Sequence, residues 1–177
     1  MRLRDVTPDD VDAYVRMRCD PDMMAGLGGP LPPEGMADRV ARDAEQAAAG
    51  LAWYKMIVPD PGSPGVVAGT VALWSHDAGD GPFSEIGWMV LPEFQGRGLG
   101  KRAVRAVLEQ ARDADRWGLV HAFPATDNAA SNGICRSVGF RFRERLDVTF
   151  AGRTIRSDHW TIDPRTELTA APREPAA

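Results

Sequence analysis

The sequence predicts an α/β domain built on one mixed sheet, and three patterns support this fold class. Three apolar segments, residues 52–58, 66–74 and 84–91, are joined by turn-rich connections that suit an antiparallel meander. A helix predicted over residues 100–116 then leads to another apolar segment at 119–123, which is typical of a parallel strand–helix–strand unit. Two further strand candidates, residues 141–150 and 153–162, flank Ala151-Gly152 and indicate a closing hairpin.

The remaining segments complete a single domain over residues 1–162. Residues 2–6 alternate like a short strand, Thr7-Pro8 starts a helix that runs to about Arg18, and a second helix covers about 34–49. Between these helices, residues 20–33 contain three glycines and four prolines and are too broken for a regular element. This loop either packs over the core or forms a wall of a substrate pocket. A short helix is predicted between 126 and 138, and residues 163–177 are predicted to be a disordered tail.

Composition limits the function classes. The chain has 177 residues, 44% of them hydrophobic, and a formal net charge of −4, which argues against a general nucleic-acid or membrane-surface binder. It has no apolar run long enough for a signal peptide or a membrane span, so we expect a cytoplasmic protein. Its two cysteines are far apart and fit neither a zinc site nor a disulfide framework, so no metal is expected.

The most informative segment is the glycine-rich sequence QGRGLGK at residues 95–101, between a predicted strand and a predicted helix. Glycines allow backbone N–H groups to approach a ligand closely, and a helix N-terminus adds partial positive charge. The segment is therefore expected to bind phosphate, with a plain turn as the alternative. It lacks the GK[ST] of a nucleotide-triphosphate loop, and the preceding meander argues against a dinucleotide-binding fold.

These motifs resemble the GCN5-related N-acetyltransferase (GNAT) superfamily over roughly residues 1–162. Gln95 to Gly100 matches the family's Q/R-x-x-G-x-G/A signature, and Asn128 followed by Gly139-Phe140 matches its downstream helix motif. The segment Glu85 to Trp88 and the loop LGGPLPP are closest in pattern to the ribosomal-protein-alanine acetyltransferase branch. The resemblance implies the element order βααβββαβαββ, with a fourth strand that is bulged and splayed from the fifth.

The resemblance also implies an acetyl-CoA-dependent N-acetyltransferase that moves an acetyl group to a primary amine of a small molecule by direct attack on the thioester. A protein N-terminus as acceptor, or a CoA-binding module with little catalysis, are the alternatives. It further implies a possible homodimer and neither nucleic-acid nor membrane partners. The implied cofactor-binding residues are the strand edge Trp88, Met89 and Val90, the loop residues Gln95, Gly96, Arg97, Gly98, Leu99, Gly100 and Lys101, and Asn128.

For proton transfer, Glu85 is the candidate general base, because it interrupts an apolar strand and can act through a water. Many family members have a tyrosine acid where this chain has Cys135, so Ser131 or Cys135 is the candidate acid, and a structural role for Cys135 is the alternative. The N–H of Val90 at the bulge is expected to stabilise the oxyanion. Of the three histidines, His121 is expected to be structural, and His76 and His159 to lie in solvent.

Overall fold

The computed structural model describes residues 1–78, 81–150 and 152–168, which form a mixed sheet flanked by helices. Seven strands are present in these residues: β1 (Arg2–Asp5), β2 (Trp53–Val58), β3 (Gly69–Ala78), β4 (Gly81–Val90), β5 (Val120–Ala122), β6 (Arg141–Phe150) and β7 (Arg153–Ile162). The helices are α1 (Val11–Arg18), α2 (Pro21–Met24), α3 (Met36–Ala48), α4 (Leu99–Ala114) and α5 (Ala129–Val138).

The strand order is β1-β2-β3-β4-β5-β7-β6, and within it β4 and β5 are parallel while the other neighbouring pairs are antiparallel. This arrangement confirms the predicted α/β class with its meander, its strand–helix–strand unit and its closing hairpin. Both strands of that hairpin have the predicted bounds.

Apolar periodicity places one helix on each face of the sheet. The stripe of α4 that the sequence predicted is buried against β3 and β4, and it consists of Ala103, Val104, Val107, Leu108 and Ala111. On the opposite face, α1 and α3 pack over Met56 of β2 and over Leu91, just beyond β4. Glu85 of β4 points to this second face and keeps 24% of its side-chain area exposed, so the face is open beyond the two helices.

The loop predicted over residues 20–33 contains a helical turn that the sequence analysis missed. Helix α2 begins at Pro21 and is followed by a 3-10 turn over Ala25–Leu27. The Asp20 carboxylate accepts a hydrogen bond of 2.8 Å from the Met23 N–H, and Met24 is fully buried. The prediction of an irregular segment was wrong because Asp-Pro at this point is a helix start rather than a break.

Strands β4 and β5 separate almost as soon as they meet. They pair at Ser84↔Val120 and at Glu85↔His121, whereas β4 continues to Val90. This confirms the predicted splay. The predicted bulge in β4 is wrong for its ladder with β3, because that pairing runs without a register shift from Gly69↔Val90 to Ala78↔Gly81.

The start of the predicted tail is folded onto the domain. Asp163 to Glu167 forms a turn in which the Asp163 N–H donates to the Glu167 carboxylate, and Glu167 pairs with Arg141 at 2.5 Å. Leu168 packs against the main core. The rest of the predicted tail, residues 169–177, lies outside the described residues. In the described part of the chain, no helix is long and apolar enough to cross a membrane.

The closest approach of β3 and β4 depends on Gly69. A β-carbon there would lie 2.1 Å from the Met89 carbonyl oxygen and 2.9 Å from the Val90 Cα. Because backbone atoms cannot yield as a flexible side chain can, we expect Gly69→Ala to lower the free energy of unfolding by at least about 2 kcal/mol. Urea unfolding measures this change, and Gly65→Ala is the matched control because nothing lies within 4 Å of its added carbon. Equal stability of the two variants would contradict this close packing.

Candidate active site

The glycine loop forms a concave surface of backbone N–H groups at the start of α4. Gly96 and Gly98 have positive φ angles of 73° and 69°, a conformation that glycine adopts without strain. A β-carbon on either residue would meet nothing within 4 Å, so the space in front of the loop is open. Among the described residues, no backbone carbonyl accepts a hydrogen bond from the N–H groups of Gly96, Arg97 or Gly98. Free donors facing open space at a helix N-terminus fit a pyrophosphate.

Side chains around this loop add order and positive charge. The Gln95 side-chain amide donates a hydrogen bond of 2.9 Å to the Val90 carbonyl, which fixes the loop against the end of β4. Arg97 lies over the Phe94 ring at 5.5 Å, and Lys101 is exposed on the first turn of α4. A cavity of about 410 Å³ beside the loop has Arg97 and Arg102 in its wall. The loop is therefore locally basic in a chain of negative net charge.

Gly100 has a different role from the other two glycines. A β-carbon there would lie 3.1 Å from Ile134 Cδ1 on α5 and 3.4 Å from Val90 Cγ2 on β4. Because Gly100 has no side chain, α4, α5 and β4 can pack closely there. Its role is to position the loop against these elements, and it is not needed for an unusual backbone conformation. Leu99 beside it is buried in the main core.

Past Glu85, the β4 edge on the β5 side is free of strand partners in the described residues. Trp88, Met89 and Val90 on this edge are partly buried. Unpaired N–H and C=O groups at a strand edge can accept an extended amide-containing ligand as an added strand. Trp88 Nε1 is buried and has no hydrogen-bond partner among the described residues. The edge fits the two amides of a pantetheine arm.

Glu85 is the last residue of β4 that pairs with β5, and it belongs to a polar cluster on the open face of the sheet. Its Oε2 lies 2.6 Å from Nε2 of His76, which is also 2.7 Å from Nε1 of Trp74. Trp74 and His76 project from β3 on the same face as Glu85. Trp74 is the register partner of Glu85, and His76 is two residues further along β3. Burial raises the pKa of the Glu85 carboxyl, and the neighbouring His76 opposes this rise.

A wall of aromatic and histidine rings extends this cluster across β5 and β7. The rings of Phe83 and His121 lie 5.1 Å apart, and those of Phe123 and His159 stack at 4.7 Å. His121 Nδ1 and His159 Nε2 are 2.9 Å apart and share a hydrogen bond. Burial lowers the pKa of both imidazoles, which favours their neutral forms.

The sequence predictions for the histidines need correction. His159 does not lie in solvent, because it stacks on Phe123 and hydrogen-bonds to His121. His76 is 41% exposed but contacts the Glu85 carboxylate, so the solvent assignment was right only in part. His121 is the register partner of Glu85 on β5, and its side chain lies on the same face of the sheet. Alternate spacing along a strand indicates which residues share a face of the sheet. The register between strands, which brings these histidines together, cannot be read from that spacing.

Helix α5 carries the candidate acids. The Asn128 Oδ1 accepts a hydrogen bond of 2.9 Å from the Ser131 N–H and caps the helix, and Ser131 is partly buried on the first turn. Cys135 is fully buried in the main core, and burial raises the pKa of its thiol to about 12. The thiol stays protonated inside the core, so its position does not support a role at the thioester.

One residue of α5 was missed by the sequence analysis. Asn132 is buried, and its side-chain amide donates to the Ala125 and Asn128 carbonyls. Its Oδ1 accepts a 2.8 Å hydrogen bond from Trp160 Nε1 of β7. These bonds satisfy the buried amide and fix the start of α5 against β7.

The segment after α2 crosses the open face to reach the far side of the sheet. A β-carbon on Gly26 would lie 3.7 Å from Ala125, and one on Gly28 would lie 3.0 Å from Arg153 at the start of β7. A β-carbon on Gly29 would lie 2.8 Å from Nη1 of the Arg153 guanidinium. This bridging segment, residues 25–29, therefore connects α2 to Ala125 and to the start of β7.

A splayed β4 edge that continues into a glycine loop at a helix N-terminus defines the class of a CoA-using acyltransferase. The family model described as "Acetyltransferase (GNAT) domain" matches residues 1–141. The chain therefore belongs to the GNAT acetyltransferase family, whose acyl donor is acetyl-CoA, and this confirms the predicted enzyme class.

Individual relatives agree with this assignment. The N-alpha-acetyltransferase RimI of Mycobacterium tuberculosis is 44% identical over 50 residues, which cover 28% of this chain and only 29% of that protein's length. The ribosomal-protein-S5-alanine acetyltransferase of Vibrio fischeri has a TM-score of 0.73 at 19% identity, with 94% of both chains covered. The acetyltransferase yncA of Salmonella typhimurium, solved with acetyl-CoA, has a TM-score of 0.68 at 20% identity, with 98% of both covered. At these identities the two structures establish a shared fold.

The glycine loop can be tested with a matched pair of tryptophan substitutions. Gly98→Trp places a large ring in the open space of the loop, whereas Gly50→Trp imposes the same backbone penalty at a φ of 68° beyond the end of α3, again with nothing within 4 Å. We expect acetyl-CoA to raise the melting temperature of the wild type and of Gly50→Trp, but not that of Gly98→Trp. A ligand-induced rise of equal size in all three proteins would remove the loop from the cofactor site.

The buried carboxyl predicts a pH-dependent effect on stability. Because the folded state holds the Glu85 proton more tightly than the unfolded chain does, the associated stabilisation is present at low pH and is lost as pH rises through the folded-state pKa. In Glu85→Gln this loss does not occur. The melting temperature of the variant minus that of the wild type is therefore expected to increase between pH 5 and pH 8. Thermal melts at both pH values measure the difference, and the exposed Glu45→Gln serves as control. A relative melting temperature that falls with pH would mean that the carboxylate is stabilising as an anion.

Proposed function

We propose that this protein transfers the acetyl group of acetyl-CoA to a primary amine of a small molecule, with Glu85 as the general base. The observation that carries the proposal is the position of Glu85 where β4 and β5 separate, between the cofactor edge on β4 and the open face of the sheet. A base at that point is placed between the two substrates.

The cofactor residues follow from the fit of the site. The N–H groups from Gly96 to Lys101 would bind the pyrophosphate, with Arg97 and Lys101 adding charge. The backbone of Trp88, Met89 and Val90 would pair with the pantetheine amides. Asn128 would hold the start of α5 beside the cofactor. When bound, acetyl-CoA supplies the thioester carbonyl that the amine attacks.

Glu85 prepares the nucleophile. An amine is protonated at neutral pH, and its lone pair becomes available only after a proton leaves. The Glu85 carboxylate accepts this proton, directly or through a water, and its raised pKa makes it a stronger base than an exposed carboxylate. Nε2 of His76, at 2.6 Å, fixes the carboxylate and connects it to solvent through a half-exposed ring.

Ser131 is the proposed donor of the proton that the leaving thiolate takes up. Its hydroxyl is on the first turn of α5, the helix that packs on α4 beside the cofactor loop. Cys135, four residues later, is enclosed in the core, so Ser131 is the preferred acid. The sequence prediction that the Val90 N–H contacts the oxyanion rested on an expected bulge in β4. Since the β3–β4 pairing is continuous, that reason no longer holds.

The bridging segment favours a small acceptor. A peptide substrate needs an open groove, whereas the close approach of Gly28 and Gly29 to Arg153 joins the bridging segment to β7. A protein N-terminus is the second candidate acceptor, and the similarity to RimI of M. tuberculosis supports it. A protein N-terminus can enter only if the bridging segment separates from Arg153, whereas a small amine does not require this separation.

A homodimer remains part of the proposal. Strand β6 is at the edge of the sheet and is exposed over most of its length, and its Phe142 is 49% exposed. A long exposed edge of this kind is a site for strand pairing with a second chain. Light scattering on the purified protein measures the oligomeric state.

The proposed reaction is tested by measuring thiol release from acetyl-CoA with a panel of small amines and short peptides. We expect turnover with at least one small amine, and we expect Glu85→Gln and Ser131→Ala each to lower kcat by about 10²- to 10⁴-fold, with little change in acetyl-CoA affinity. Glu45→Gln and Ser137→Ala are the matched controls, because both are exposed and Ser137 is on the same helix as Ser131. Binding of acetyl-CoA without thiol release for any acceptor would leave only a CoA-binding module.

The pH dependence separates the base from a structural carboxylate. The wild-type kcat/KM is expected to rise with pH through a pKa above the ordinary value for glutamate, and Glu85→Gln is expected to lose this rise. A variant that is slower but keeps the same pH profile would exclude Glu85 as the base.

A further inference from the structure

We propose that Arg18 binds an anionic group of the acceptor, so that the substrate is an amine that also carries a carboxylate or a phosphate. This inference rests on the proposed function, because it names the chemical class of that acceptor. It comes from an arginine at the end of α1 whose charge has no partner in the described residues.

The guanidinium of Arg18 is enclosed but unsatisfied. Its Nε is buried and has no hydrogen-bond partner, and no hydrogen bond or ion pair of any Arg18 side-chain atom is found among the described residues. Its Cζ lies 5.4 Å from the centre of the Tyr14 ring, one turn earlier on α1. An arginine in this state loses hydration without gaining hydrogen bonds, which costs stability unless a ligand restores them.

The nearby acid attracts this charge, but it forms no hydrogen bond or ion pair with Arg18 among the described residues. Asp43 of α3 accepts a 2.9 Å hydrogen bond from the Tyr14 hydroxyl instead. Arg39, one turn earlier on α3, adds a second positive charge near Arg18, and burial together with this charge lowers the pKa of Arg18. The local field between α1 and α3 therefore favours an anion.

The sheet register connects this position to Glu85. Tyr54 of β2, which is close enough to Arg18 to affect its charge, pairs with Ala72 of β3, and Ala72 pairs with Gly87 of β4. The three residues share the face on which Glu85 lies, two residues before Gly87. Tyr54 and Gly87 are thus two strand spacings apart, about 10 Å. An acceptor that spans this distance carries its anion several bonds from its amine.

Small residues line the sheet along this path. Ala72 and Gly87 contribute almost no side-chain volume, and the Trp74 ring lies over Gly87, where an added β-carbon would be 3.2 Å from Cη2. The sheet between the anion site and the base is therefore apolar and is covered in part by the Trp74 ring, with an arginine at one end and a carboxylate at the other. This polarity matches a substrate with an anion at one end and an ammonium at the other.

The test compares amines that differ only in the anionic group. The pairs are 6-aminohexanoate with hexylamine, L-lysine with cadaverine, and O-phosphoethanolamine with ethanolamine. We expect kcat/KM to be about 10- to 100-fold higher for the anionic member of at least one pair, since charge-assisted hydrogen bonds to a guanidinium have this effect. The first two pairs report on a carboxylate and the third on a phosphate.

Arg18→Met is expected to abolish this preference by lowering kcat/KM for the anionic amine of each preferred pair to that of its partner without the anion. Arg112→Met is the matched control, because it removes one positive charge from an exposed site on α4. Since no hydrogen bond or ion pair of the Arg18 side chain is found in the described part of the chain, Arg18→Met should melt at the wild-type temperature or above it. A clear fall in its melting temperature would show that Arg18 stabilises the fold and would overturn the proposal, as would equal rates for all three pairs in the wild type.

A binding measurement separates this proposal from the proposed reaction. Hexanoate has no amine and cannot be acetylated at nitrogen, and it should raise the melting temperature of the wild type and of Arg112→Met but not that of Arg18→Met. If that Arg18-dependent shift occurs and no amine releases thiol, the anion site stands and the proposed function fails. If amines react without any preference for an anion and hexanoate has no effect, the function stands and the anion site is excluded.

Discussion

The early separation of β4 from β5 is the constraint on which the rest of the site depends. Among the described residues, only Ser84 and Glu85 of β4 pair with β5, and the segment from Ile86 to Val90 keeps one edge free. The Ser84 hydroxyl donates a 2.6 Å hydrogen bond to the Trp117 carbonyl, and it anchors the connection before β5 at the point where pairing stops. One short paired segment therefore provides both the free edge for a cofactor and a fixed position for Glu85.

The groups that give the site its chemistry also reduce its stability. The Glu85 carboxyl is largely buried, and Arg18, Trp88 and His159 each have a buried nitrogen without a partner in the described residues. Isolated polar groups of this kind cost free energy, and elsewhere the fold avoids that cost, as at Asn132, whose amide is fully bonded. Arg18 and His159 lie on the Glu85 face of the sheet, where a ligand can complete the hydrogen bonding, whereas Trp88 packs against the main core on the opposite face.

Local patterns in the sequence predicted the elements and the backbone conformation of the glycine loop well. Glycines that adopt positive φ, the apolar stripe of α4 and the Asn128 cap depend on residues close in sequence, so their consequences could be read directly. The cluster around Glu85 could not, because His76 and His121 meet it only through the register of β3 and β5. The bulge inferred from the family resemblance also depends on the register between strands. The β3–β4 ladder of this chain has no such bulge.

Amide hydrogen exchange tests the central claim that the β4 edge and the glycine loop hold the cofactor together. With coenzyme A bound, the N–H groups between Ile86 and Val90 that point away from β3, and those from Gly96 to Lys101, should exchange more slowly, because they acquire acceptors that the free protein lacks. Amides of the β6–β7 hairpin should be unaffected. Protection of the hairpin, or of neither segment, would contradict the account.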